Sequence, residues 1–385
     1  VLQRLSLPSS VCSAVVLALI GLTTTACESG SGDCPTNFEE IEGLCVQLPI
    51  PELGVYEGDL TIETPEDAEE FCLDYNAVLG DLRLAPTLTS ASELDCLQQV
   101  AGDLILEELD GMDELSLPSL YWVGGHLSIQ ANSPRLTTMN LDALRAVGDG
   151  ITVHVNDLEE LSMARLEQLE GHLSVYSNLF LRSLDLPLLR SVGNDENIAV
   201  LYVRLNHALE ELYLPALETV TGVLKVSSNL TMTALEMPSL LETGRGLYIS
   251  YCEVLDSYEL PIEEVGGFLF VANSFVSSVA FPELRTVDED FNVIFNQNLS
   301  EASFPKLEFV GSNLIIEANP ELSEAEIDEA EGDHDLHRAD YFRQRGRKSE
   351  AASRQCKRHS CALSRRGGQL ERGSKRTPTP ALMTA

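Results

Sequence analysis

Apolar residues recur in short alternating segments along most of the chain, and the same order of segments returns about every 23 residues. The early repeats open with the residues GDL at Gly58, Gly80 and Gly102, each 22 residues after the last. Later repeats have a fuller form, as in VGGHLSIQAN at 123–132, and close on L-x-L and L-x-x-V. Short alternating runs broken by Gly and Pro indicate β-strands, and a fixed period indicates a solenoid.

Three apolar columns follow from aligning the repeats. The first strand of each repeat contributes pairs such as Leu127/Ile129, the second pairs such as Leu184/Leu186, and the third pairs such as Leu189/Val192. Turns that follow one path stack their strands in parallel, about 4.8 Å apart. We therefore predict a mainly β, leucine-rich-repeat-like solenoid of about twelve turns over residues 52–325.

An asparagine recurs just after the first strand of most repeats. A polar side chain at a repeated corner can hydrogen-bond the backbone of its own and adjacent turns, so we predict a structural ladder rather than a row of metal ligands. Cys252 takes the asparagine position in its repeat, which predicts a buried thiol. The predicted ladder comprises Asn132, Asn156, Asn178, Asn206, Asn229, Asn273, Asn296 and Asn319.

Charge is unevenly distributed along the chain. Residues 1–336 contain 12 Lys and Arg against 58 Asp and Glu, a net charge of −46, whereas residues 337–385 carry a net charge of +10. So acidic a body repels nucleic acid, which we exclude as a partner. The segment 326–385 turns from acidic to basic and has few apolar residues, so it predicts a disordered tail, either a genuine arm or the product of a shifted reading frame.

The first 26 residues have the pattern of a signal peptide. Arg4 precedes an apolar run from Val11 to Leu22, which is too short to span a bilayer comfortably. The run ends in Thr24-Thr25-Ala26-Cys27 and a Gly/Ser spacer, which resembles a bacterial lipoprotein signal, although Leu is usual where Thr24 stands. The resemblance implies a lipid anchor on Cys27 at the bacterial outer membrane or cell surface. The alternative is ordinary cleavage near Ala26 and secretion.

Taken together, the residues resemble the receptor L-domain family, which includes ligand-binding lobes of growth-factor-type receptors and bacterial surface lipoproteins. The resemblance covers residues 52–325 and rests on the GDL openings, the L-P-x-L-x-x-V closings and the asparagine column. It implies a right-handed β-helix that binds partners and catalyses nothing.

Four cysteines cluster beyond the leader, and in an exported chain they predict two disulfides. The segment 27–51 contains the anchor, a linker and CPTNFEEIEGLC, which resembles a small disulfide-closed loop of secreted bacterial proteins and implies a Cys34–Cys45 bridge. Cys72 and Cys96 lie about one turn apart, so we expect them to staple the first turns as a cap.

No catalytic, cofactor-binding or metal-binding motif is apparent, and we predict no enzyme and no cofactor. The middle residues of four consecutive first strands, Tyr202, Lys225, Tyr248 and Phe270, should face outward. Aromatic rings with polar handles suit protein or sugar binding, although stacked rings can also simply stabilise a sheet. We therefore predict a lipid-anchored binding module for a protein or polysaccharide at the cell surface. The alternatives are a structural envelope protein and, less favoured, a secreted β-helix polysaccharide lyase.

Overall fold

The computed structural model describes residues 13–16, 23–26, 38–41, 44–47, 53–109, 111–131, 135–155, 157–194 and 196–323. From residue 53 onward they form a parallel β-solenoid, as the repeat predicts. Twelve strands lie side by side on each of two faces, which gives about eleven complete turns. We number the three strand-bearing faces in the order in which each repeat reaches them. The predicted tail at 326–385 lies outside the described residues.

Face 1 contains the longest strands, and their register aligns equivalent positions of neighbouring repeats. Leu127 pairs with Ile151, Leu201 with Leu224, and Phe291 with Leu314. The twelve strands of face 1 are Leu60–Ile62, Leu82–Leu84, Leu104–Glu107, Leu127–Ala131, Ile151–Val155, Leu173–Tyr176, Leu201–Arg204, Val223–Ser227, Gly246–Ser250, Phe268–Ala272, Phe291–Ile294 and Leu314–Glu317.

Face 2 is divided into three separate three-stranded sheets, whereas face 3 is one continuous sheet. The strands of face 2 are Glu114–Ser116, Thr138–Asn140 and Glu160–Ser162, then Ser183–Asp185, Glu211–Tyr213 and Ala234–Glu236, then Ser257–Glu259, Ser278–Ala280 and Glu301–Ser303. The strands of face 3 are Gly54–Tyr56, Tyr75–Val78, Gln99–Val100, Trp122–Val123, Ala146–Val147, Gln168–Leu169, Ser191–Val192, Thr219–Val220, Glu242–Thr243, Glu264–Val265, Thr286–Val287 and Phe309–Val310.

The three predicted apolar columns form one continuous core. Leu127, Leu186 and Leu217, one from each column, are fully buried, and each such side chain stabilises the fold by roughly 1.5–3 kcal/mol. Ile316 is the exception, since it is only partly buried in the last described strand. Aromatic rings replace leucine in the last turns, where Phe281, Phe291 and Phe304 pack together.

The first turns differ from the rest because they include a helix that the strand periodicity does not predict. The helix Pro65–Asp74 begins at Thr64, whose side chain accepts the N–H of Asp67 while the Asp67 carboxylate accepts the N–H of Thr64. This reciprocal cap and the proline in the first turn are strong helix-starting signals. A short 3₁₀ helix follows at Ser92–Leu94. The disulfide between Cys72 and Cys96 joins this helix to the next turn.

Two further features are a small sheet near the N-terminus of the chain and an insertion in one turn of the stack. Near the N-terminus, the backbone of Ser13–Val16, Thr23–Ala26, Phe38–Ile41 and Leu44–Gln47 forms a four-stranded antiparallel sheet. In the middle, an insertion lengthens one turn to 28 residues, from Leu173 to Leu201. The insertion forms an exposed loop closed by backbone hydrogen bonds between Asn194 and Asn197. No described helix is long and apolar enough to cross a membrane.

Candidate binding surface

The corner that follows each face 1 strand contains a ladder of asparagines, which we call the ladder corner. Asn206 shows the pattern: its Oδ1 accepts the N–H of Asn178 at 3.0 Å, and its Nδ2 donates to the carbonyl of Val175 at 3.0 Å. Its own N–H donates to Oδ1 of Asn229 at 3.0 Å. These amides therefore join three consecutive turns. Similar bonds are made by Asn178, Asn229, Asn296 and Asn319, whereas Asn132 and Asn156 lie outside the described residues.

Asn273 is not part of this ladder, which corrects the sequence prediction. Ser274 occupies the ladder position, since its N–H donates to Oδ1 of Asn296 at 3.2 Å and its hydroxyl donates to the carbonyl of Ala272. Asn273 precedes it at a backbone φ of 53°. Asparagine is favoured at such left-handed positions as well as at ladder positions, so the sequence pattern is shifted by one residue here.

Cys252 continues the ladder in the turn before Ser274. Its N–H donates to the Ser274 hydroxyl at 3.4 Å, and the thiol is completely buried. Burial raises the pKa of the thiol from 9.0 to about 12 because an apolar interior disfavours the thiolate. The cysteine is therefore a core side chain without the ionised form that nucleophilic chemistry needs.

A second ladder, of aspartates, lies at the corner that precedes the first face 1 strands. The Asp81 N–H donates to Oδ1 of Asp59 at 3.0 Å, and the Asp103 N–H donates to Oδ1 of Asp81 at 2.8 Å. A Cβ atom on Gly102 would lie 2.3 Å from Asp81 Oδ1, and one on Gly80 would lie 2.3 Å from Asp59 Oδ1, so glycine is a steric requirement at these two positions. The repeated GDL openings are the sequence signal of this ladder. His126 replaces the next aspartate and donates its N–H to Asp103.

The four outward residues of the predicted stripe lie in register on consecutive turns of face 1. Tyr248 and Phe270 stack with ring centroids 4.7 Å apart and planes 8° apart. On the other side, Lys225 Nζ lies 4.3 Å from the centroid of the Tyr248 ring. Partial burial and then the positive charge of Arg204 lower the pKa of Lys225. Tyr202 lies in the same row, half-buried.

This stacking limits what the stripe can bind. Tyr248 is covered on one ring face by Phe270 and on the other by Lys225, so only its edge and hydroxyl remain for a partner. A sugar ring stacks on an open aromatic face, which Tyr248 does not offer. Stacking and the cation–π contact also stabilise the sheet by about 0.5–1.5 kcal/mol each. The stripe thus has a structural role of its own.

A larger exposed apolar surface lies beside the stripe, at the ladder corner of the same turns. We call it the apolar corner, and it comprises Tyr251, Val254, Phe275 and Phe295, which are 48%, 52%, 43% and 43% exposed. Tyr251 and Phe295 occupy the same position two turns apart, as the backbone bonds of the intervening Asn273 show. Sequence periodicity misses these residues because they belong to none of the three apolar columns and not to the outward stripe. The signal that could identify them is an aromatic residue directly flanking a ladder position.

Two of the described histidines, His126 and His172, form contacts between turns. Nδ1 of His172 accepts the N–H of Val200 at 2.9 Å, and Nε2 of His126 lies 3.0 Å from the Thr152 hydroxyl oxygen. In the described part of the chain, no group of three or more His, Cys, Asp or Glu side chains is arranged to hold a metal ion.

The predicted anchor and the first predicted disulfide cannot be placed on this surface. Cys27 and Cys34 lie outside the described residues, and of Cys45 the structure describes only the backbone, in the strand Leu44–Gln47. Comparison with known proteins adds no relative: no family model and no curated protein matches the chain.

Proposed function

We propose that this protein is a non-catalytic binding module that presents face 1 and its ladder corner to a macromolecular partner at the cell surface. The apolar corner is the observation that carries the proposal. Four large apolar side chains lie about half exposed along one edge of three consecutive turns, whereas the inward apolar columns of those turns are buried. Exposed apolar clusters rimmed by polar residues are typical of interaction sites.

The rigidity of the stack supports this role. Asn229, Asn296 and Asn319 hold the backbone of the ladder corner at fixed spacing, so the side chains beside it are positioned before a partner arrives. Pre-positioned aromatic side chains lose little conformational entropy on binding, which favours affinity. Tyr and Phe are also among the residues enriched in protein interfaces.

Attachment to the cell surface is part of the same proposal. The apolar leader ending at Cys27 supports export and lipid attachment at that cysteine, and several acyl chains would anchor the protein stably. The GDL openings and the asparagine column support a relationship to the receptor L-domain family, whose members bind ligands. Replacement Cys27→Ala should move the protein from the membrane fraction to the soluble fraction. Unchanged membrane retention would refute the lipid anchor.

A structural envelope protein is the second candidate. The stack of Lys225, Tyr248 and Phe270 favours it, because these side chains contact one another and cover both faces of the Tyr248 ring. Two assays on the purified chain separate the candidates: an array of surface polysaccharides, and capture from surface extracts followed by measurement of affinity with the isolated partner. A binding module gives a saturable partner whose affinity falls when Phe275 and Phe295 are replaced by serine. A structural protein gives no partner in either assay.

A further inference from the structure

The backbone at the apolar corner indicates that its aromatic residues are not required by the fold. Tyr251 and Phe295 have φ values of 53° and 59°, in the left-handed region where side chains other than Gly and Asn are disfavoured by about 1–2 kcal/mol. Ser228 and Ala318 occupy the same position in other turns, so the corner does not need a ring. Both rings are nearly half exposed, so they gain little from core packing.

Acidic residues greatly outnumber basic ones in the turns that contain the apolar corner. Residues 246–323 contain thirteen Asp and Glu but only two cations, Arg285 and Lys306. Both cations lie near glutamates at another corner, Arg285 at 3.9 Å from Glu263 and Lys306 in contact with Glu283.

Three acidic residues lie in the segments that follow ladder positions, as Val254 does. Glu253 and Asp256 flank Val254, and Glu321 follows the ladder in the last turn; all three are exposed. None of the three forms an ion pair with another described residue. The nearest face 1 cation on a neighbouring turn, Lys225, is already placed over the Tyr248 ring.

Building on the proposed function, we propose that the apolar corner binds a cationic polypeptide segment that carries aromatic or aliphatic side chains. The apolar side chains of the segment would cover Tyr251, Phe275 and Phe295, and its Lys or Arg residues would lie near Glu253, Asp256 and Glu321. Opposite charges around an apolar centre speed association and select the partner, while the aromatic contacts supply most of the affinity.

Three other occupants fit the surface less well. A second copy of the chain would bring together two bodies that each carry a net charge of −46 over residues 1–336, and like charges oppose such an interface. An acidic polysaccharide is repelled for the same reason. A neutral polysaccharide gains no charge attraction from the exposed carboxylates of Glu253, Asp256 and Glu321, whereas a cationic segment does.

A random peptide display library tests the proposal with the purified chain as target. The corner variant is Tyr251→Asn with Phe275→Ser and Phe295→Asn, because asparagine suits the left-handed backbone at residues 251 and 295. The matched control is Tyr213→Asn with Phe309→Ser, which removes exposed rings from faces 2 and 3, where these side chains are 39% and 37% exposed. Thermal unfolding and circular dichroism establish that both variants keep the fold.

The selected peptides should be rich in Lys or Arg with interspersed apolar residues. Their affinity should fall at least about tenfold for the corner variant, change less than about twofold for the control, and weaken as salt is raised. Selection of uncharged or acidic peptides, or equal binding by the corner variant, overturns the proposal. The proposal is also overturned if the protein sediments as a dimer that the corner variant abolishes, or if a neutral polysaccharide binds at the apolar corner. Both of these outcomes leave the proposed binding role intact. Loss of every partner would contradict that role as well.

Discussion

Asn206 and Asn273 are chemically the same residue with different tasks. Asn206 is fully buried and its amide bonds the backbone of the preceding turn through both its oxygen and its nitrogen. Asn273 is partly exposed, and what suits it to its site is tolerance of a positive φ. Position relative to the strand end, rather than residue type, decides which task an asparagine performs.

Replacement Asn206→Ala should therefore lower the free energy of unfolding by about 3 kcal/mol, because it leaves the N–H of Asn178 and the C=O of Val175 in the preceding turn without these partners. Replacement Asn273→Ala should cost at most about 1 kcal/mol, the difference between the two residues at a left-handed φ. Urea unfolding of the two variants measures both values. Equal losses would mean that the ladder adds nothing beyond the local backbone.

Cys252 gives a test of burial at the same corner. With a pKa of about 12, the folded thiol stays protonated at pH 9, whereas an unfolded thiol with a pKa near 9.0 is about half ionised. Alkylation at Cys252, followed by peptide mass spectrometry, should be at least about a hundredfold slower in the folded protein than in guanidinium. Stability linked to this group is complete below the unfolded pKa and declines as pH rises toward 12. Rapid alkylation of the folded chain would place the thiol at the surface.

At the scale of elements, the first turns depend on a cap that later turns do not need. The helix Pro65–Asp74 takes the place of a face 2 strand in the first turn and buries Ala68 and Phe71 in the core. The Cys72–Cys96 bond then fixes this helix to the following turn across 24 residues. A solenoid is stabilised turn by turn, so a weakened end opens before the middle does.

In the double variant Cys72→Ser with Cys96→Ser, the free energy of unfolding should fall by about 2–5 kcal/mol, and only the first turns should be destabilised. Amide hydrogen exchange should accelerate over residues 53–107 and stay unchanged over residues 201–317. Wild-type protein treated with reductant is the matched comparison and should behave in the same way. Uniform acceleration along the whole chain would contradict a local cap.

The elements also show why the sequence predicts some features and misses others. Buried pairs such as Leu201 and Val203 are predictable because a strand alternates with period two and the repeat multiplies the signal. The helix at residue 65 interrupts that period, so only its capping residues indicate it. Tyr251 and Phe275 are missed because corner residues do not alternate between buried and exposed positions. The corners also differ in length, since the next buried residue comes three positions after Cys252, at Leu255, but two positions after Ser274, at Val276.

At the scale of the whole molecule, nearly every buried side chain serves the stack, and the candidate function lies on its outside. Face 1 offers a stripe whose central ring is covered on both sides, and the adjoining corner offers rings that are open to solvent. The surrounding turns are acidic, which opposes association between copies of the chain and favours a partner of opposite charge. The rigid stack and the open corner are the two features on which the proposed binding role rests.

Hydroxyl-radical footprinting of the protein in isolated cell envelopes, compared with the purified chain, tests this claim most directly. Radicals oxidise exposed aromatic side chains, so the chain contains its own controls in Tyr213 and Phe309, which are exposed away from the ladder corner. A partner at the apolar corner should reduce oxidation of Tyr251, Phe275 and Phe295 several-fold and leave the controls unchanged. Equal oxidation of all five rings in both samples, or protection of only the two controls, would contradict the claim.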